Sequence, residues 1–514
     1  MLTGPRKVLT PAQMGAVDRA TVEAGIPGLI LMENAAHRVV EYVAGRYAPV
    51  SEQRIVVVCG KGNNGGDGLA IARQLHVKFE PRSLHVVLIA DPAELSGDAA
   101  DNLRMLRAAG VQEYRDFGPE MRVATLVIDA VLGTGLKGPA SGAALDAILE
   151  INSAFPLAKI VAVDIPSGLS GETGVPPGEY VRAHGTVTFT APKICHAMPP
   201  ACDRMGELVI APIGSPASLY ENDPALWLSL VTRESVAPLF APRPRDANKG
   251  TFGHVLVVAG SRGKSGAAAM CALAALRAGA GLVTVACPGS VLASVAEYAP
   301  EVMTEALPDT GGFERVMELA ATRSLVAMGP GLGTAVETAE MVRRVCETLE
   351  KPMVVDADGL NCLAAHPGWT APGPRVLTPH PGEMSRLTGR AVKQIQSDRI
   401  AEARGFAQDH RVTLVLKGER TLTGFADGRL WINPTGTPAM ATGGTGDILT
   451  GMIAGLMAQF PRDPDRAVAG AIYLHGLAGE VAARHMTEQG VIATDLLRFL
   501  PEAIREITGL PHAV

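Results

Sequence analysis

Short apolar runs recur in the first half of the chain and alternate with stretches of helical length. The runs begin at Arg54, Ser83, Thr125, Ile160 and Gly185, and each is apolar on successive residues. Strands that are apolar on both faces, joined by helix-length connections, are typical of a parallel sheet covered on both sides. The pattern therefore predicts a three-layer α/β domain, preceded by two helices between residues 10 and 47.

The same alternation resumes later in the chain, after a gap. Between residues 213 and 249 the pattern lapses, and proline recurs at Pro216, Pro224, Pro238, Pro242 and Pro244. Repeated prolines interrupt both helices and strands. Apolar runs begin again at residue 254. We therefore predict two α/β domains, at residues 1–220 and 249–514, joined by a Pro-rich linker at 221–248.

The amino-acid composition excludes several classes of protein function. The 514 residues are too many for one compact core, which agrees with two domains. The net charge is −6, aromatic residues make up 4%, and no Lys/Arg block occurs, so we expect no nucleic-acid partner. The seven cysteines lack zinc-site spacing and predict reduced thiols. Because no apolar run reaches about 18 residues, we expect a cytoplasmic protein with no membrane partner. We also expect a homo-oligomer.

A glycine-rich turn follows the first predicted strand of the sheet. Residues 60–68, GKGNNGGDG, place five glycines and two asparagines ahead of a helix that begins near Asp67. Such a turn lets backbone N–H groups approach a ligand phosphate at a helix N-terminus. The spacing departs from the dinucleotide-binding GxGxxG pattern, and a plain strand-to-helix turn is the alternative. Because five glycines exceed what a turn needs, we predict a binding loop.

Two further strand ends carry oxygen donors. Asp129 lies at the end of one strand, in DAVLGTG, and Asp164 and Ser167 follow another, in DIPSG. Ligands collect at the carboxyl ends of strands in open α/β sheets. Asn64, Asp129 and Ser167 together offer hard oxygen donors that suit an alkali or alkaline-earth cation. Each of them alone could instead cap a helix.

The sharpest chemical signal in the second half is ATGGTGDILTG at residues 441–451. Gly443, Gly444 and Gly446 precede Asp447 at the start of an apolar helix. Small residues let the backbone surround a phosphate, and the helix dipole favours its negative charge. Asp447 could be only a helix cap. A carboxylate beside a phosphate can also take a proton from an attacking hydroxyl, and we predict this general-base role.

Other loops of the second half support a nucleotide site. Lys417 and Gly418, at a strand end, could meet phosphate, and His380 is fixed between two prolines, although it could be structural. Glu383 could help to hold Mg²⁺ through water or could only offset a helix dipole. The loop VAGSRGKSG at residues 258–266 is not a Walker A loop, because a valine stands where the first glycine is needed. It is still a glycine-lined helix start that could contact a ligand.

Together these motifs resemble those of two known families. LMENAA from Leu31, GNNGGDG, DAVLGTG and DIPSG resemble the NAD(P)HX epimerase family, whereas LTPHPGE, KGERT and GGTGD resemble the NAD(P)HX dehydratase family. Fused in this order, they resemble the bifunctional NAD(P)H-hydrate repair enzymes over nearly the whole chain. The resemblance implies a Rossmann-like first domain, a ribokinase-like second domain, and NADHX, NADPHX and ADP as small-molecule ligands.

For the first domain the resemblance implies epimerisation of the R and S hydrates with a bound K⁺ ion. It places the K⁺ ligands on Asn64, Asp129 and Ser167. The proton steps could fall on Asp164 and Lys193, although Lys193 could instead contact phosphate. The implied substrate loops consist of Asn63, Asn64, Gly65, Gly66, Asp67, Gly133, Thr134, Gly135, Leu136, Lys137, Gly138 and Pro139, with Asp164 also at the ligand.

For the second domain the resemblance implies dehydration of the S hydrate driven by ADP, with Mg²⁺ and release of AMP and phosphate. Asp447 would activate the hydroxyl of the hydrate to accept phosphate, which leaves more readily than hydroxide. The implied nucleotide contacts are Lys417, Gly418, Glu419, Arg420, Thr421 and Gly446, and the implied hydrate contacts are Ala267, Gly333, His380 and Asp447. Gly329 and Gly331 are alternatives to Gly333.

A different hypothesis also fits part of the sequence. A ribokinase-like fold with GGTGD suits a kinase of a vitamin-precursor alcohol, with a non-catalytic nucleotide-binding first domain. The first domain argues against it, because GNNGGDG, Asp129 and Asp164 are all present.

Overall fold

A computed structural model describes residues 4–308 and 312–509. The contacts divide the chain into two compact units, Arg6–Leu226 and a unit that begins at Trp227. Both contain mainly parallel sheets with intervening helices, which confirms the predicted α/β class. Within the described ranges, no helix is both long and apolar enough to cross a membrane.

The first unit is built on a parallel sheet. The strands of this sheet are β2 (Arg54–Cys59), β3 (Ser83–Leu88), β4 (Glu113–Tyr114), β5 (Leu126–Ala130), β6 (Lys159–Val163), β7 (Gly185–Phe189) and β8 (Glu207–Ala211), and the two-residue strand β1 (Arg6–Lys7) lies outside it. Its helices are α1 (Pro11–Glu23), α2 (Gly28–Arg46), α3 (Asn63–Phe79), α4 (Gly97–Ala108), α5 (Gly142–Ser153) and α6 (Ile194–Ala197).

The strand order of this sheet determines where a ligand can bind. The order is β4-β3-β2-β5-β6-β7-β8, and neighbouring strands are parallel. The chain moves outward from β2 through β3 to β4 and then returns to the other side of β2 as β5. The carboxyl ends of β2 and β5 therefore flank a topological switch point, the usual ligand position in open α/β sheets.

Burial and glycine explain how α3 reaches this switch point. Strands β2 and β5 are β-branched and almost fully buried, as a strand covered on both faces requires. Helix α3 packs on them through Gly68, where an added Cβ would lie 2.6 Å from the Cβ of Ala130. The close approach brings the start of α3 against the carboxyl end of β5.

The second unit contains a larger sheet. Its strands are β9 (Leu228–Leu230), β10 (His254–Val258), β11 (Leu282–Pro288), β12 (Met303–Leu307), β13 (Leu325–Met328), β14 (Met353–Val355), β15 (Arg375–Leu377), β16 (Thr413–Leu416), β17 (Leu422–Gly424) and β18 (Leu430–Ile432). They pair in the order β9-β18-β17-β16-β15-β14-β13-β10-β11-β12. The pairs are parallel except where β17 runs antiparallel to β16 and β18.

Helices cover this sheet and position its loops. They are α7 (Arg233–Val236), α8 (Ser265–Arg277), α9 (Leu292–Tyr298), α10 (Phe313–Ala321), α11 (Val336–Thr348), α12 (Asp358–Ala364), α13 (Pro381–Thr388), α14 (Val392–Ser397), α15 (Arg399–His410), α16 (Thr445–Gln459), α17 (Pro464–His485) and α18 (Ala493–Thr508). Helices α8 and α16 lie very close together, because an added Cβ on Gly451 would stand 2.0 Å from the carbonyl oxygen of Cys271. Their first turns therefore lie side by side.

The segment predicted as a linker contains ordered structure. The second unit begins at Trp227, and β9 pairs with β18 through Leu228, Ser229 and Leu230. Helix α7 follows directly. A strand of three residues gives too short an apolar pattern to be recognised between prolines.

Candidate active sites

Asn64, Asp129 and Ser167 come together at the switch point of the first sheet. Ser167 Oγ lies 2.6 Å from Asp129 Oδ1, and the Ser167 N–H donates to Asp129 Oδ2 at 2.8 Å. Asn64 Nδ2 donates to the carbonyl of Leu132 at 2.9 Å, and the buried Asn64 Oδ1 has no hydrogen-bond partner among the described residues. Three oxygen-bearing side chains, all buried, thus lie around one point.

The electrostatics of this cluster favour a cation. Burial raises the pKa of Asp129 to about 6, although hydrogen bonds from Ser167 and Val131 lower it. A buried carboxylate and a buried amide oxygen without a donor are both stabilised by a positive ion. In the described ranges, no group of three or more His, Cys, Asp or Glu side chains could hold a metal ion. One carboxylate with neutral oxygens suits a hard monovalent cation rather than zinc, so the residues fit the predicted K⁺.

Asp164 and Lys193 form a buried ion pair. Lys193 Nζ lies 2.6 Å from Asp164 Oδ1, and Lys193 is 1% exposed. Thr188 Oγ1 donates to the same carboxylate oxygen at 2.9 Å. Asp164 has a φ of 64°, an uncommon conformation for a residue other than glycine that occurs preferentially at functional sites. The strand-end loop therefore holds this carboxylate in a fixed position.

The surroundings of this pair keep the Asp164 carboxyl group ionised. Burial alone would raise the pKa of Asp164, but the adjacent Lys193 holds it below its ordinary value. The backbone N–H of Lys193 donates to His196 Nδ1 at 2.9 Å, and His196 Nε2 lies 3.0 Å from the backbone carbonyl oxygen of Asp164. Because burial lowers the pKa of His196 to about 3, the ring is neutral and Nε2 carries the proton. The pair therefore offers an ionised carboxylate with the Lys193 amine as its direct partner.

A cavity of about 1310 Å³ opens beside these two clusters. It is large enough for a dinucleotide. The predicted residues that line it are Asn63, Asn64, Asp67, Gly133, Thr134, Gly135, Leu136, Lys137, Asp164 and Lys193. Asp18, from α1, also lines it and carries a carboxyl group that the sequence analysis missed, because no glycine turn or strand end marks it.

Four predicted substrate residues do not line this cavity. Gly138 and Pro139 belong to the loop after β5 but not to the cavity lining, and Gly65 and Gly66 face the protein. An added Cβ on Gly65 would lie 1.9 Å from the Gly60 carbonyl oxygen, and one on Gly66 would lie 2.8 Å from Met32 Sδ. These two glycines therefore allow α3 to pack closely against the neighbouring backbone and side chains.

Two other carboxyl groups of the cavity have raised pKa values, in contrast to Asp164. Burial, followed by the charges of Asp164 and Asp18, raises the pKa of Asp67 well above its ordinary value. Burial also raises the pKa of Asp18, which Lys193 lowers in part. The cavity therefore combines an ionised carboxylate with carboxyl groups that retain a proton more readily.

In the second unit, Lys417 connects the predicted nucleotide loop to a cluster of carboxylates. Its Nζ lies 2.7 Å from Asp356 Oδ1 and 3.6 Å from Glu383 Oε2. Burial alone would lower the pKa of Lys417, but the charges of Asp356 and Glu383 outweigh burial and raise the pKa above its ordinary value. The amine therefore stays charged. Gly446 adjoins it, because an added Cβ there would stand 3.5 Å from Nζ. The GGTGD turn and the KGERT loop thus meet at this lysine.

Asp447 lies in the first turn of α16, three residues after Gly444, whose φ is 97°. The structure gives Gly444, not Asp447, the N-cap position, so capping does not explain this carboxylate. Burial raises the pKa of Asp447 to about 6, and Asp356 adds to the rise while Lys417 opposes it. A carboxyl group with this pKa can accept a proton near neutral pH.

The backbone of the KGERT loop is held by a buried arginine. The guanidinium group of Arg399 donates to the carbonyls of Leu416, at 3.3 Å, and Glu419. Gly418 has a φ of 138°, which favours glycine. Arg420 Nη1 donates to the carbonyl of Pro434 at 3.0 Å, so that its charge is directed to the backbone. Thr421 Oγ1 donates to the Gly418 carbonyl at 2.9 Å, which closes the turn.

The predicted hydrate residues of the second unit lie on three loops. In GPGLG, an added Cβ on Gly329 or Gly331 would lie within 3.0 Å of other atoms of the protein. On Gly331 the atoms that it would contact include the Cβ of Ala267. Among the described residues, an added Cβ on Gly333 would have no neighbour nearer than 4.0 Å, so this glycine borders open space. His380 caps α13 through Nδ1, which accepts from the Gly382 N–H at 2.9 Å, and its half-exposed ring can still meet a ligand.

Sequence reasoning missed several polar residues of this site. They are Asp356, Asp358, Thr450 and Lys264, which bind one another or the predicted ligand loops. The strand end DADGL, with two acidic residues after an apolar run, was the available signal for the first two. The rule that pointed to Asp129 and Asp164 would have selected them as well.

The chain is similar to known proteins over nearly its full length. Residues 28–195 match the family model described as YjeF-related protein N-terminus, and residues 255–502 match the one described as NAD(P)H-hydrate dehydratase. A bifunctional NAD(P)H-hydrate repair enzyme of Moorella thermoacetica is 41% identical, with 97% of each chain covered. The Escherichia coli enzyme of the same name is 35% identical over 89% of this chain and 86% of its own.

A solved structure matches the second unit. The ADP/ATP-dependent NAD(P)H-hydrate dehydratase of Bacillus subtilis, crystallised with ATP and Mg²⁺, is 35% identical, with a TM-score of 0.50. The match covers 54% of this chain and 98% of the bacterial protein. Together with the full-length relatives, this confirms the resemblance that the motifs indicated: the chain belongs to the family of bifunctional NAD(P)H-hydrate repair enzymes.

Proposed function

We propose that the chain repairs hydrated nicotinamide cofactors, with one reaction in each unit. The first unit interconverts the R and S hydrates of NADH and NADPH, and the second dehydrates the S hydrate at the expense of ADP, giving AMP and phosphate. Family membership over the full length supports this function rather than a vitamin-precursor kinase with a non-catalytic first unit.

The observation that carries the dehydratase assignment is the position of Asp447. It lies on the first turn of α16, next to the glycine turn and close enough to Lys417 for their charges to interact. A glycine turn, a helix N-terminus and a lysine together favour phosphate, and a carboxylate beside them can accept a proton. The site therefore supports phosphoryl transfer to a hydroxyl group.

The proposed dehydration has two steps. Asp447 accepts the proton of the hydrate's hydroxyl group while that oxygen attacks the terminal phosphorus of ADP, and the bond from phosphorus to the bridging oxygen breaks to release AMP. The phosphate then leaves the ring carbon with its bonding electrons, and the neighbouring carbon loses a proton. The carbon–carbon double bond of the reduced nicotinamide is thereby restored.

The surrounding groups neutralise charge. Lys417 is proposed to contact the ADP phosphates, since it belongs to the KGERT loop and its ammonium group lies beside Gly446 of the GGTGD turn. Bound Mg²⁺ would supply further positive charge, mostly through phosphate and water ligands, and the buried Glu383 is the carboxylate proposed to assist it. This donor set agrees with a centre in which the ligand itself brings most of the metal's oxygens.

For the first unit we propose Asp164 as the base and Lys193 as the acid of epimerisation. Their side chains form one buried ion pair that lines the large cavity. Asn64, Asp129 and Ser167 are proposed to hold K⁺, which would neutralise the buried carboxylate. Asp67 and the loop from Gly133 to Lys137 are proposed to contact the hydrate.

The experiment that tests the dehydratase assignment is the Asp447→Asn substitution. The amide keeps the size of the side chain but cannot accept the proton, so kcat for dehydration should fall by roughly 100- to 10,000-fold. Epimerisation, assayed separately, should be unchanged. The exposed Asp409→Asn variant is the matched control and should retain both activities. Normal dehydration by Asp447→Asn would exclude Asp447 from the mechanism.

A further inference from the structure

The segment Asp356-Ala357-Asp358 lies between the groups proposed to bind the two substrates of the second unit. It follows β14 directly and leads into α12. Ala357 has φ 51° and ψ −121°, a conformation that L-residues adopt only at a cost. Its two flanking carboxylates contact different loops.

Asp356 contacts the nucleotide side. It is 1% exposed and uses both carboxylate oxygens: Oδ1 lies 2.7 Å from Lys417 Nζ, and Oδ2 accepts from Thr450 Oγ1 at 2.6 Å. Thr450 lies on α16, three residues after Asp447. Asp356 therefore fixes the lysine of the KGERT loop relative to the helix that carries the base.

Asp358 contacts the hydrate side. Its Oδ2 accepts from the Gly333 N–H at 2.8 Å and lies 3.0 Å from Lys264 Nζ. Gly333 is the glycine of its loop that borders open space, and Lys264 directly precedes α8, which carries Ala267. One carboxylate oxygen thus joins the two loops that carry proposed hydrate contacts.

We infer that Asp356 and Asp358 are positioning residues for different substrates, Asp356 for the nucleotide through Lys417 and Asp358 for the hydrate through Gly333 and the start of α8. The inference rests on the proposed function of this unit. Neither carboxylate has to contact the reacting atoms. Loss of one should weaken the binding of one substrate and leave that of the other unchanged.

Two substitutions test the division. Removing a charge-assisted hydrogen bond weakens binding by roughly tenfold or more. Asp358→Asn should therefore raise KM for the S hydrate by about this factor and leave the Kd of ADP, measured by calorimetry, unchanged. Asp356→Asn should raise the Kd of ADP by a similar factor and leave the hydrate KM unchanged.

Milder variants keep the test valid if a buried substitution unfolds the unit. Asp356→Asn leaves Lys417 without its close partner, which can be strongly destabilising. Thr450→Val removes one hydrogen bond to Asp356, and Lys264→Met removes the exposed partner of Asp358. Thr450→Val should change only ADP binding, and Lys264→Met only the hydrate KM.

The outcomes are distinguishable. A wild-type protein that does not dehydrate the S hydrate would refute the proposed function itself. An active wild type whose folded variants alter both substrates equally, or neither, would overturn only the positioning roles. Thermal unfolding and the epimerisation rate of each variant establish that it is folded.

Discussion

Asp164 and Asp447 carry the same carboxyl group in opposite electrostatic surroundings. Lys193 lies 2.6 Å from Asp164 and holds the pKa of that carboxyl below its ordinary value. Asp447 interacts with the charges of several carboxylates, and burial together with Asp356 raises its pKa to about 6. Asp164 is therefore ionised at all physiological pH values, whereas Asp447 changes its protonation state close to neutrality.

The raised pKa of Asp447 predicts a pH dependence for dehydration. A base must be ionised to accept a proton, and the ionised fraction falls as the pH drops below about 6. We expect kcat/KM for dehydration to be constant above pH 7 and to fall about tenfold per pH unit well below 6. Initial rates between pH 4.5 and 8, at subsaturating hydrate, measure it. A flat profile would contradict the assigned base.

The Asn64, Asp129 and Ser167 cluster predicts a dependence on monovalent cations. Asp129→Ala removes the only carboxylate of this cluster and leaves the neutral side chains of Asn64 and Ser167 around the proposed K⁺. The K⁺ concentration for half-maximal epimerisation should rise at least tenfold, since a charged ligand is lost. Titration with KCl against a choline chloride background checks this. An unchanged K⁺ dependence would refute the cation assignment, and unchanged dehydration is the internal control.

Some site residues could be predicted from the sequence because ligands bind at the carboxyl ends of parallel strands, and these ends can be recognised in the sequence. Asp129 lies near the end of β5, Asp164 and Ser167 follow β6, and the carboxyl ends of parallel strands meet at one edge of a sheet. Asp358 could have been selected by the same rule, but its role could not, because it depends on Lys264 and Gly333 from distant parts of the sequence. Pairwise contacts of this kind leave no periodic signal.

At the level of elements, glycine serves two purposes that sequence alone does not separate. The five glycines of the turn at residues 60–68 predict a binding loop. In the structure, Gly65, Gly66 and Gly68 instead allow α3 to pack against backbone and side chains, while Asn63 and Asn64 line the cavity. The position of the loop follows from the strand-turn-helix pattern, but the direction in which each glycine faces depends on its neighbours in space.

The contact between α8 and α16 predicts a strong stability effect. An Ala at Gly451 would place its Cβ 2.0 Å from the Cys271 carbonyl oxygen, so the two helices would have to separate. We expect Gly451→Ala to lower the free energy of unfolding of this unit by about 1–3 kcal/mol or more. Chemical denaturation followed by circular dichroism measures it.

A matched glycine provides the control for this prediction. Gly405 lies inside α15, and no atom of the described part of the chain would come within 4 Å of an added Cβ there. Gly405→Ala should therefore stabilise the protein by about 0.4–1 kcal/mol through the reduced entropy of the unfolded chain. Equal effects of the two substitutions would show that helix propensity, not the close helix contact, determines the response.

At the level of the whole molecule, the sequence pattern predicts two α/β units, at residues 1–220 and 249–514, but not the strand orders of their sheets. The alternation of apolar runs and helical stretches identifies parallel sheets in both halves. The pairing of β9 with β18 joins residues about 200 positions apart, which the local pattern cannot show. The family match provides the function that the fold alone leaves open, because both fold types host many activities.

The presence of two sites in one chain predicts how a mixture of R and S hydrates is repaired. With ADP and Mg²⁺, the wild type should restore all of the reduced-nicotinamide absorbance, since the first unit supplies the S hydrate that the second consumes. Asp164→Asn removes the proposed base of epimerisation but leaves the second unit intact. Its absorbance should rise at the wild-type initial rate and level off at the S share of the mixture, followed only by slow spontaneous epimerisation.

Complementation completes this test. The Asp447→Asn variant lacks dehydration but keeps the proposed epimerisation site, so its addition to the stalled Asp164→Asn reaction should restore full recovery. Recovery requires that the S hydrate formed on one molecule be released and bound by another. Full recovery by Asp164→Asn alone, at the wild-type rate, would exclude Asp164 as the base. A mixture that stays at the plateau, although each variant retains its own activity, would contradict independent sites with a freely exchanging intermediate.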